Sequence, residues 1–202
     1  MTARYKSSER KGIMHETRQL LLRAAAEEFA LHGFDKANVN RIAESAGFSI
    51  GTVYNYFPNK RELMFAFIDQ TAQLHVDYIV EGVISEQDVR RRVEVFYQRG
   101  FRFVEDHLTQ AKAIFSVLNG PDQEFKLRMF QGYQALFQLL RDDILAAGMD
   151  QGVFRRVDPQ ETANLLMLIY LGTGSQSGPE GNLWLDAATV ADFVLHSLVT
   201  KG

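Results

Sequence analysis

A group of polar and aromatic side chains between residues 38 and 60 has the composition of a nucleic-acid contact surface. Asn, Thr and Arg side chains hydrogen-bond to base edges, and Lys, Arg and Tyr side chains bind phosphate oxygens. A short helical segment cannot bury all of these groups. The alternative to a DNA-binding surface is a small helical hairpin that forms part of a core. We therefore expect these residues to face a groove of double-stranded DNA: Asn38, Asn40, Arg41, Ser49, Ile50, Thr52, Tyr54, Asn55, Tyr56 and Lys60.

The spacing of residues 39–56 predicts two short helices joined by a tight turn. Ala43 is small enough for a close helix crossing, and Gly47 tolerates the positive φ that the turn requires. Ser49 is suited to cap the second helix. Three apolar residues are predicted to face the inside of the pair: Ile42, Phe48 and Val53. This pattern is typical of a helix-turn-helix, whose second helix enters the major groove.

Two helices this short are not stable alone, so a further element must support them. The preceding residues 16–31 predict a helix that places Leu21, Ala25 and Phe29 on one face, and Gly33 ends it. Together the three helices predict a DNA-binding domain over residues 1–58.

The remainder, residues 59–202, is predicted to be a larger helical domain. Asp158-Pro159 has the form of a helix start, and Asn59 stands three residues before Glu62 as in a capping box. Apolar residues recur at helical spacing, and the alternation of a strand is missing. The Gly-rich residues 172–181 predict a flexible loop before a final helix over residues 183–199. We therefore predict an all-α fold of about nine helices.

Composition excludes several classes of protein. The 202 residues include no cysteine, which excludes a disulfide scaffold and a cysteine nucleophile and fits the reducing cytoplasm. No apolar run is long enough to span a membrane, and from the polar N-terminus we expect no secretory signal. Through Phe65 there are ten basic and seven acidic residues, whereas the rest has twelve and eighteen. A basic head on an acidic body favours contact of the head alone with a polyanion.

Catalytic signals are weak. The five histidines have no paired spacing for a metal, and the Gly-rich segment lacks the residues of a phosphate-binding loop. We therefore expect no catalytic residue, no metal site and no cofactor. A helical enzyme that binds a small molecule and an effector-independent DNA-binding protein are the two alternative functions.

The N-terminal segment resembles the DNA-binding domain of the TetR/AcrR family of bacterial transcriptional repressors. The resemblance is ordered and gapless between residues 21 and 63. It rests on Leu21-Leu22-Arg23-Ala24-Ala25, Phe29, Gly33-Phe34, Ile42-Ala43, Ala46-Gly47-Phe48-Ser49, Gly51-Thr52-Val53-Tyr54-Asn55-Tyr56-Phe57-Pro58-Asn59-Lys60 and Leu63.

The resemblance divides the DNA-facing residues by role. Three would hold phosphates: Tyr54, Tyr56 and Lys60. Four would reach base edges: Thr52, Asn55, Asn40 and Arg41. This chain has Ile50 where the family often has Lys, which removes a cation and adds an apolar group suited to a thymine methyl.

The resemblance also implies a pocket for a small, lipophilic effector in the larger domain. Seven of the fifteen phenylalanines lie between Phe96 and Phe137, although ordinary core packing is the alternative explanation. The candidates for the pocket lining are Phe96, Phe103, Phe115, Met129, Phe130, Tyr133, Phe137 and Met167.

The last two helices carry more apolar surface than one core can cover. This favours a four-helix interface between two copies, as the resemblance also implies. The residues predicted at the interface are Leu165, Leu168, Ile169, Trp184, Ala188, Ala191, Leu195 and Leu198. A homodimer predicts a palindromic operator. The sequence as a whole predicts a cytoplasmic homodimeric repressor that a small effector releases from DNA.

Overall fold

The structure is a computed structural model that describes the backbone of residues 2–176 and 183–200 and the side chains of residues 12–176 and 183–200. Its elements in chain order are α1 (Thr2–Lys36), α2 (Val39–Ser45), α3 (Ile50–Tyr56), α4 (Lys60–Ser85), α5 (Val89–Asp106), α6 (Leu108–Asn119), α7 (Gln123–Gly132), α8 (Gln134–Gln138), a π-helix (Leu139–Ala146), α9 (Ala147–Asp150), α10 (Pro159–Gly174) and α11 (Ala187–Leu198).

The prediction of an all-α fold is confirmed. The π-helix joins α8 to α9 without a break, and the described residues form ten helices when residues 134–150 are counted as one. These residues contain no strand, and Phe154 and Val199 form an isolated antiparallel bridge. None of the helices described is both long and apolar enough to cross a bilayer.

Polar side chains cap the helices at the predicted starts. Asn59 Oδ1 accepts a hydrogen bond from the backbone N–H of Glu62 at 2.9 Å and starts α4. Asp158 Oδ1 accepts one from the N–H of Glu161 at 2.7 Å, with Pro159 at the first position of α10. Such bonds satisfy N–H groups that the helix itself leaves unpaired.

The first helix is longer than predicted: it begins at Thr2 rather than near residue 16. Its helical geometry is interrupted at Gly33, whose φ of 68° lies in the left-handed region. Gly33 thus ends the supporting helix as predicted.

The last two helices also have different bounds from those predicted. Helix α10 continues through Gly174, so the first three residues of the predicted loop are helical. Residues 177–181 of that loop lie outside the described residues. Helix α11 begins at Ala187 because Asp186 Oδ1 accepts from the N–H of Thr189 at 2.7 Å, and Trp184 therefore precedes the helix.

Residue contacts divide the chain into two compact units. The first contains the residues up to Gln70 together with Lys112–Arg128, and the second contains Thr71–Ala111 and the residues from Met129 onward. In the first unit, the Phe125 ring lies 4.7 Å from the Phe34 ring and 5.3 Å from the Phe65 ring. The unit that contains the helix-turn-helix is therefore larger than residues 1–58, because a segment from later in the chain packs with it.

The core of the first unit is built on α1. Leu21, Ala25 and Phe29 on one face of α1 are fully buried, as the sequence predicted. The Phe29 ring lies 6.1 Å from the ring of Phe67 on α4.

The core of the second unit is built on α5, whose buried face is aromatic. Helix α5 packs against α11, and α10 packs against the π-helix. Gly100 on α5 permits close approach of Tyr170, because a Cβ at this position would lie 2.5 Å from the tyrosine ring. The unit is therefore closely filled around this ring.

Candidate functional site

Helices α2 and α3 pack through a small apolar interface. Ile42 and Val53 are buried and Phe48 is half-buried, so all three face inward to different degrees. Ala43 is buried at the crossing, and Gly47 in the turn has a φ of 77°. These contacts fix the angle at which α3 leaves the turn.

Helix α3 exposes one polar face. Ser49 Oγ accepts a hydrogen bond from the backbone N–H of Thr52 at 3.1 Å and lies 3.0 Å from the Thr52 hydroxyl oxygen, so it caps the helix. Ile50 and Tyr54 have exposed fractions of 37% and 45%. Asn55 is exposed as well, whereas Thr52 and Tyr56 are half-buried. The residues on this face are among those expected to contact DNA, and the structure leaves them exposed or half-buried.

A buried carboxylate that the sequence analysis missed holds the start of α2. Glu28 on α1 has an exposed fraction of 7%. Its Oε1 accepts from the backbone N–H of Asn38 at 2.8 Å, and Asn38 Oδ1 caps α2 by accepting from the N–H of Asn40 at 2.8 Å. Glu28 therefore connects the supporting helix to the first helix of the motif.

Arg41 is the ionic partner of Glu28. Arg41 Nε donates to Glu28 Oε1 at 3.0 Å and to Oε2 at 3.1 Å, and Nη2 bonds to Oε1 as well. The arginine holds the pKa of the Glu28 carboxyl below its ordinary value. The guanidinium of Arg41 is thus bound to Glu28 through Nε and Nη2 while the side chain stays exposed, and its contact with a base edge stays a prediction.

Lys60 is also bound to the protein. Its Nζ donates to three backbone carbonyl oxygens, those of Phe34 at 2.7 Å, Asp35 at 3.1 Å and Ala37 at 3.1 Å. A lysine ammonium has three N–H donors, so none remains for a phosphate in this conformation. The partners of Lys60 in this structure are therefore the carbonyls at the end of α1, whereas the expected partner is a phosphate.

The ten expected DNA-contacting residues thus fall into three groups. Arg41 and Lys60 are bound to other parts of the first unit. Asn38 and Ser49 cap helices, and their side-chain oxygens accept backbone hydrogen bonds. The remaining six form the exposed or half-exposed surface: Asn40, Ile50, Thr52, Tyr54, Asn55 and Tyr56.

The residues expected to line an effector pocket differ in their burial and do not all belong to the same unit. Phe96, Phe103, Met129, Tyr133 and Met167 are buried in the second unit. Phe137 is half-buried there, and Phe115 belongs to the first unit.

Phe130 is the clearest error among the predicted pocket residues, because 44% of its surface is exposed. Helical spacing explains its position. Phe125, Met129 and Tyr133 recur every four residues and are buried, so Phe130 falls outside their face.

A buried histidine lies at the centre of the aromatic cluster of the second unit. His75 Nδ1 is 3.2 Å from the Tyr133 hydroxyl and Nε2 is 2.7 Å from the Tyr170 hydroxyl. The ring stacks on Phe103 with centroids 4.2 Å apart. Burial lowers the pKa of the imidazole to about 3. A neutral imidazole donates through one nitrogen and accepts through the other, so each tyrosine hydroxyl has a matching role.

A cleft of about 220 Å³ is present in the first unit. It lies between the end of α1 and the α6–α7 connection, with lining residues that include Phe34, Met64, Val117, Pro121 and Phe125. None of the residues expected to bind an effector lines it.

The predicted dimer residues also divide into two groups. Leu165, Leu168 and Trp184 are 59%, 65% and 70% exposed, Ala188 is exposed, and Ile169 and Leu195 are half-buried. Ala191 and Leu198 are buried within the chain, which excludes them from a surface.

Phe193, which was not among the predicted dimer residues, is 67% exposed. The buried positions Val190, Val194 and Leu198 follow helical spacing, and this spacing already turns residue 193 outward.

The described part of the chain contains no cluster of side chains suited to bind a metal ion. No three His, Asp or Glu side chains there come together as ligands.

Sequence comparison matches residues 21–67 to the family described as "Bacterial regulatory proteins, tetR family". The chain is 34% identical over 100 residues to the uncharacterized HTH-type transcriptional regulator YdgC of Bacillus subtilis, which covers 48% of this chain and 50% of that protein. The chain spans about half the length of the curated relatives it matches.

Solved structures share the fold over most of the chain. The transcriptional regulator FadR of Bacillus subtilis in complex with stearoyl-CoA has a TM-score of 0.72 and 19% identity, covering 90% of this chain and 97% of that one. AibR in complex with isovaleryl coenzyme A and operator DNA has a TM-score of 0.72 and 18% identity, covering 91% and 98%.

Proposed function

We propose that the chain, whose residues 21–67 match the tetR family of bacterial regulatory proteins, is a homodimeric transcriptional repressor that a small effector releases from a palindromic operator. The observation that carries the proposal is the exposed polar face of α3. DNA as the target implies action in the cytoplasm of a bacterial cell.

Direct base reading is assigned to α3. Asn55 is exposed and Thr52 half-buried on α3, whereas Val53 is buried, and Asn and Thr side chains bond to base edges in the major groove. Ile50 and Tyr54 offer apolar surface to a thymine methyl or a sugar. The six exposed or half-exposed residues named above therefore form the proposed reading surface.

Dimerisation is assigned to α10 and α11. Each leaves large apolar side chains in water, namely Leu165 and Leu168 on α10 and Phe193 on α11. Exposed apolar surface of this kind is typical of a subunit interface. A twofold pair would present two copies of α3 to DNA, which is why the operator is expected to be palindromic.

A small, lipophilic effector is proposed for the second unit. Support comes from its aromatic interior and from the acyl-coenzyme A molecules bound by FadR and AibR, which share its fold. An effector acts only through a difference in affinity between two conformers, and a coupling of about 1–3 kcal/mol corresponds to a 5- to 150-fold loss of DNA affinity.

Selection of bound duplexes from random DNA tests the proposal. The expected result is a palindromic consensus bound by one dimer, with affinity that falls as salt is raised. Acyl-coenzyme A thioesters of graded chain length are then added to the complex, and at least one is expected to release the DNA. Failure to enrich any duplex at low salt would contradict the DNA-binding function.

The effector-independent alternative is favoured by the close packing of Tyr170 against Phe96, Tyr97 and Phe101 in the second unit. It predicts an enriched consensus from which no thioester in the series releases the protein. The same experiment therefore separates the two functions.

A further inference from the structure

Lys60 makes contacts within the protein that binding to DNA would not by itself explain. Besides its three hydrogen bonds to the carbonyls of Phe34, Asp35 and Ala37, its Nζ lies 4.7 Å from the centroid of the Phe34 ring. Every donor of the ammonium is used, and the ring covers one side of it. Directed hydrogen bonds and a cation–π contact therefore both hold the side chain in place.

The carbonyls that Lys60 binds belong to residues 34–37, between the break at Gly33 and the cap of α2, and we refer to this segment as the α1–α2 connection. The break at Gly33 interrupts the regular helical bonds of the carbonyls that follow, although that of Phe34 still accepts from the N–H of Ala37 at 3.3 Å, and a helix C-terminus carries partial negative charge. An ammonium at this point donates hydrogen bonds to the carbonyls and places a positive charge beside the negative end of the helix.

The same connection is held from its other side by Glu28. Glu28 accepts from the N–H of Asn38, the residue directly after Ala37. The carbonyl of Ala37 and the amide of Asn38 are thus each fixed by a charged side chain, one from α4 and one from α1. Asn38 is the cap of α2, so the direction of α2 depends on both bonds.

We propose that Lys60 is a positioning residue, which acts on DNA affinity by holding the α1–α2 connection through its N–H donors and not by binding a phosphate. This inference rests on the proposed DNA-binding function. The positioning role can be distinguished from a phosphate contact. A phosphate contact needs a cation, whereas the three carbonyls need N–H donors.

The absence of cysteine from the chain permits a direct test. In Lys60→Cys, alkylation of the single thiol gives either an aminoethyl side chain, with a cation and three N–H donors, or a trimethylammonium side chain, with a cation and none. Both proteins are alkylated unfolded, refolded and compared with unmodified wild type taken through the same steps. Lys112→Cys, at an exposed position on α6, receives both modifications as the matched control.

The expected result is that the aminoethyl form regains wild-type affinity for the selected duplex, while the trimethylammonium form stays weaker on the order of tenfold. The slope of log affinity against log salt is expected to be equal in both. Hydrogen exchange of residues 34–41 in the free protein should be faster in the trimethylammonium form only. Neither modification at residue 112 should change these values.

Equal recovery by both forms would overturn the proposal, because it would mean that the charge alone suffices. So would a salt slope in Lys60→Met that falls by about 0.9, the loss of one phosphate contact. If wild type selects no duplex, the proposed function fails, and the hydrogen-exchange comparison still tests whether the donors hold the connection.

Discussion

Glu28 is a buried carboxylate whose two hydrogen-bond partners are Asn38, the cap of α2, and Arg41 within α2. We predict that Glu28→Gln lowers the free energy of unfolding by about 1–3 kcal/mol, since it removes charge-assisted bonds to Arg41. Chemical denaturation measures the loss. Glu27→Gln, at the adjacent exposed position, is the control and should change little.

The lowered pKa of Glu28 gives this loss a pH dependence. Its contribution to stability is present above the ordinary carboxyl pKa and is lost as the pH falls through the lower pKa of the folded state. The difference between wild type and Glu28→Gln should therefore shrink on acidification. A constant difference down to pH 3 would contradict the ionic role.

His75 is expected to stay neutral in the folded protein at pH 5, because burial lowers its pKa to about 3. The unfolded chain binds a proton near pH 6.5 and the folded chain does not, so stability falls with decreasing pH by about 1.4 kcal/mol per unit below that value. NMR titration of the ring checks the first statement. Denaturation of His75→Gln, with a shallower slope between pH 6 and 4.5, checks the second, and the exposed His196→Gln is the control.

At the scale of single elements, the turn between α2 and α3 depends on a glycine. Gly47 has a φ of 77° with open space around its Cα. We predict that Gly47→Ala destabilises the protein by about 1 kcal/mol, because a Cβ disfavours this backbone region. The same change at Gly12, inside α1, should stabilise by up to about 1 kcal/mol. Thermal unfolding of the two variants should shift in opposite directions.

The segment of residues 112–128 is expected to stabilise the first unit through Phe125. Its ring lies between those of Phe34 and Phe65, and the Arg61 guanidinium lies 4.5 Å from its centroid. Phe125→Ala should lower the free energy of unfolding by about 3–5 kcal/mol. Leu127→Ala, at a position that is 58% exposed, should be nearly neutral. Similar losses in both variants, measured by denaturation, would contradict this role.

The helix-turn-helix was predictable from sequence because its signals are local. Gly47 and the cap Ser49 lie within a few residues of the turn that they form, and helical spacing identified Ile42 and Val53 as core. The partners of Arg41 and Lys60 within the protein were not predictable, because they lie 13 and up to 26 residues away along the chain. A cation near a predicted DNA surface has the same sequence pattern whether it binds a phosphate or a carbonyl.

At the scale of the whole molecule, the α10–α11 surfaces are the basis for expecting a dimer. We predict that Leu168→Glu combined with Phe193→Glu gives a monomer with unchanged helix content, since charged groups resist burial in an apolar interface. Sedimentation analysis measures the mass. Leu74→Glu, at a 54% exposed position on α4, should leave the dimer intact.

Loss of the dimer should also lower the affinity for a palindromic duplex, because each copy of α3 then binds one half-site alone. Wild type that sediments as a monomer while binding palindromes tightly would contradict this account.

The return of residues 112–128 to the first unit has a practical consequence for recombinant fragments and chimeras. A gene truncated after Gln70 would encode the DNA-reading helices without Phe125 and without Asp122, to which Arg61 donates at 2.9 Å. Such a fragment would leave the faces of Phe34 and Phe65 in water and should be prone to aggregate. Transplanting this specificity onto another regulator therefore requires two stretches of sequence to be exchanged together, since one crossover point separates partners that fold as a unit.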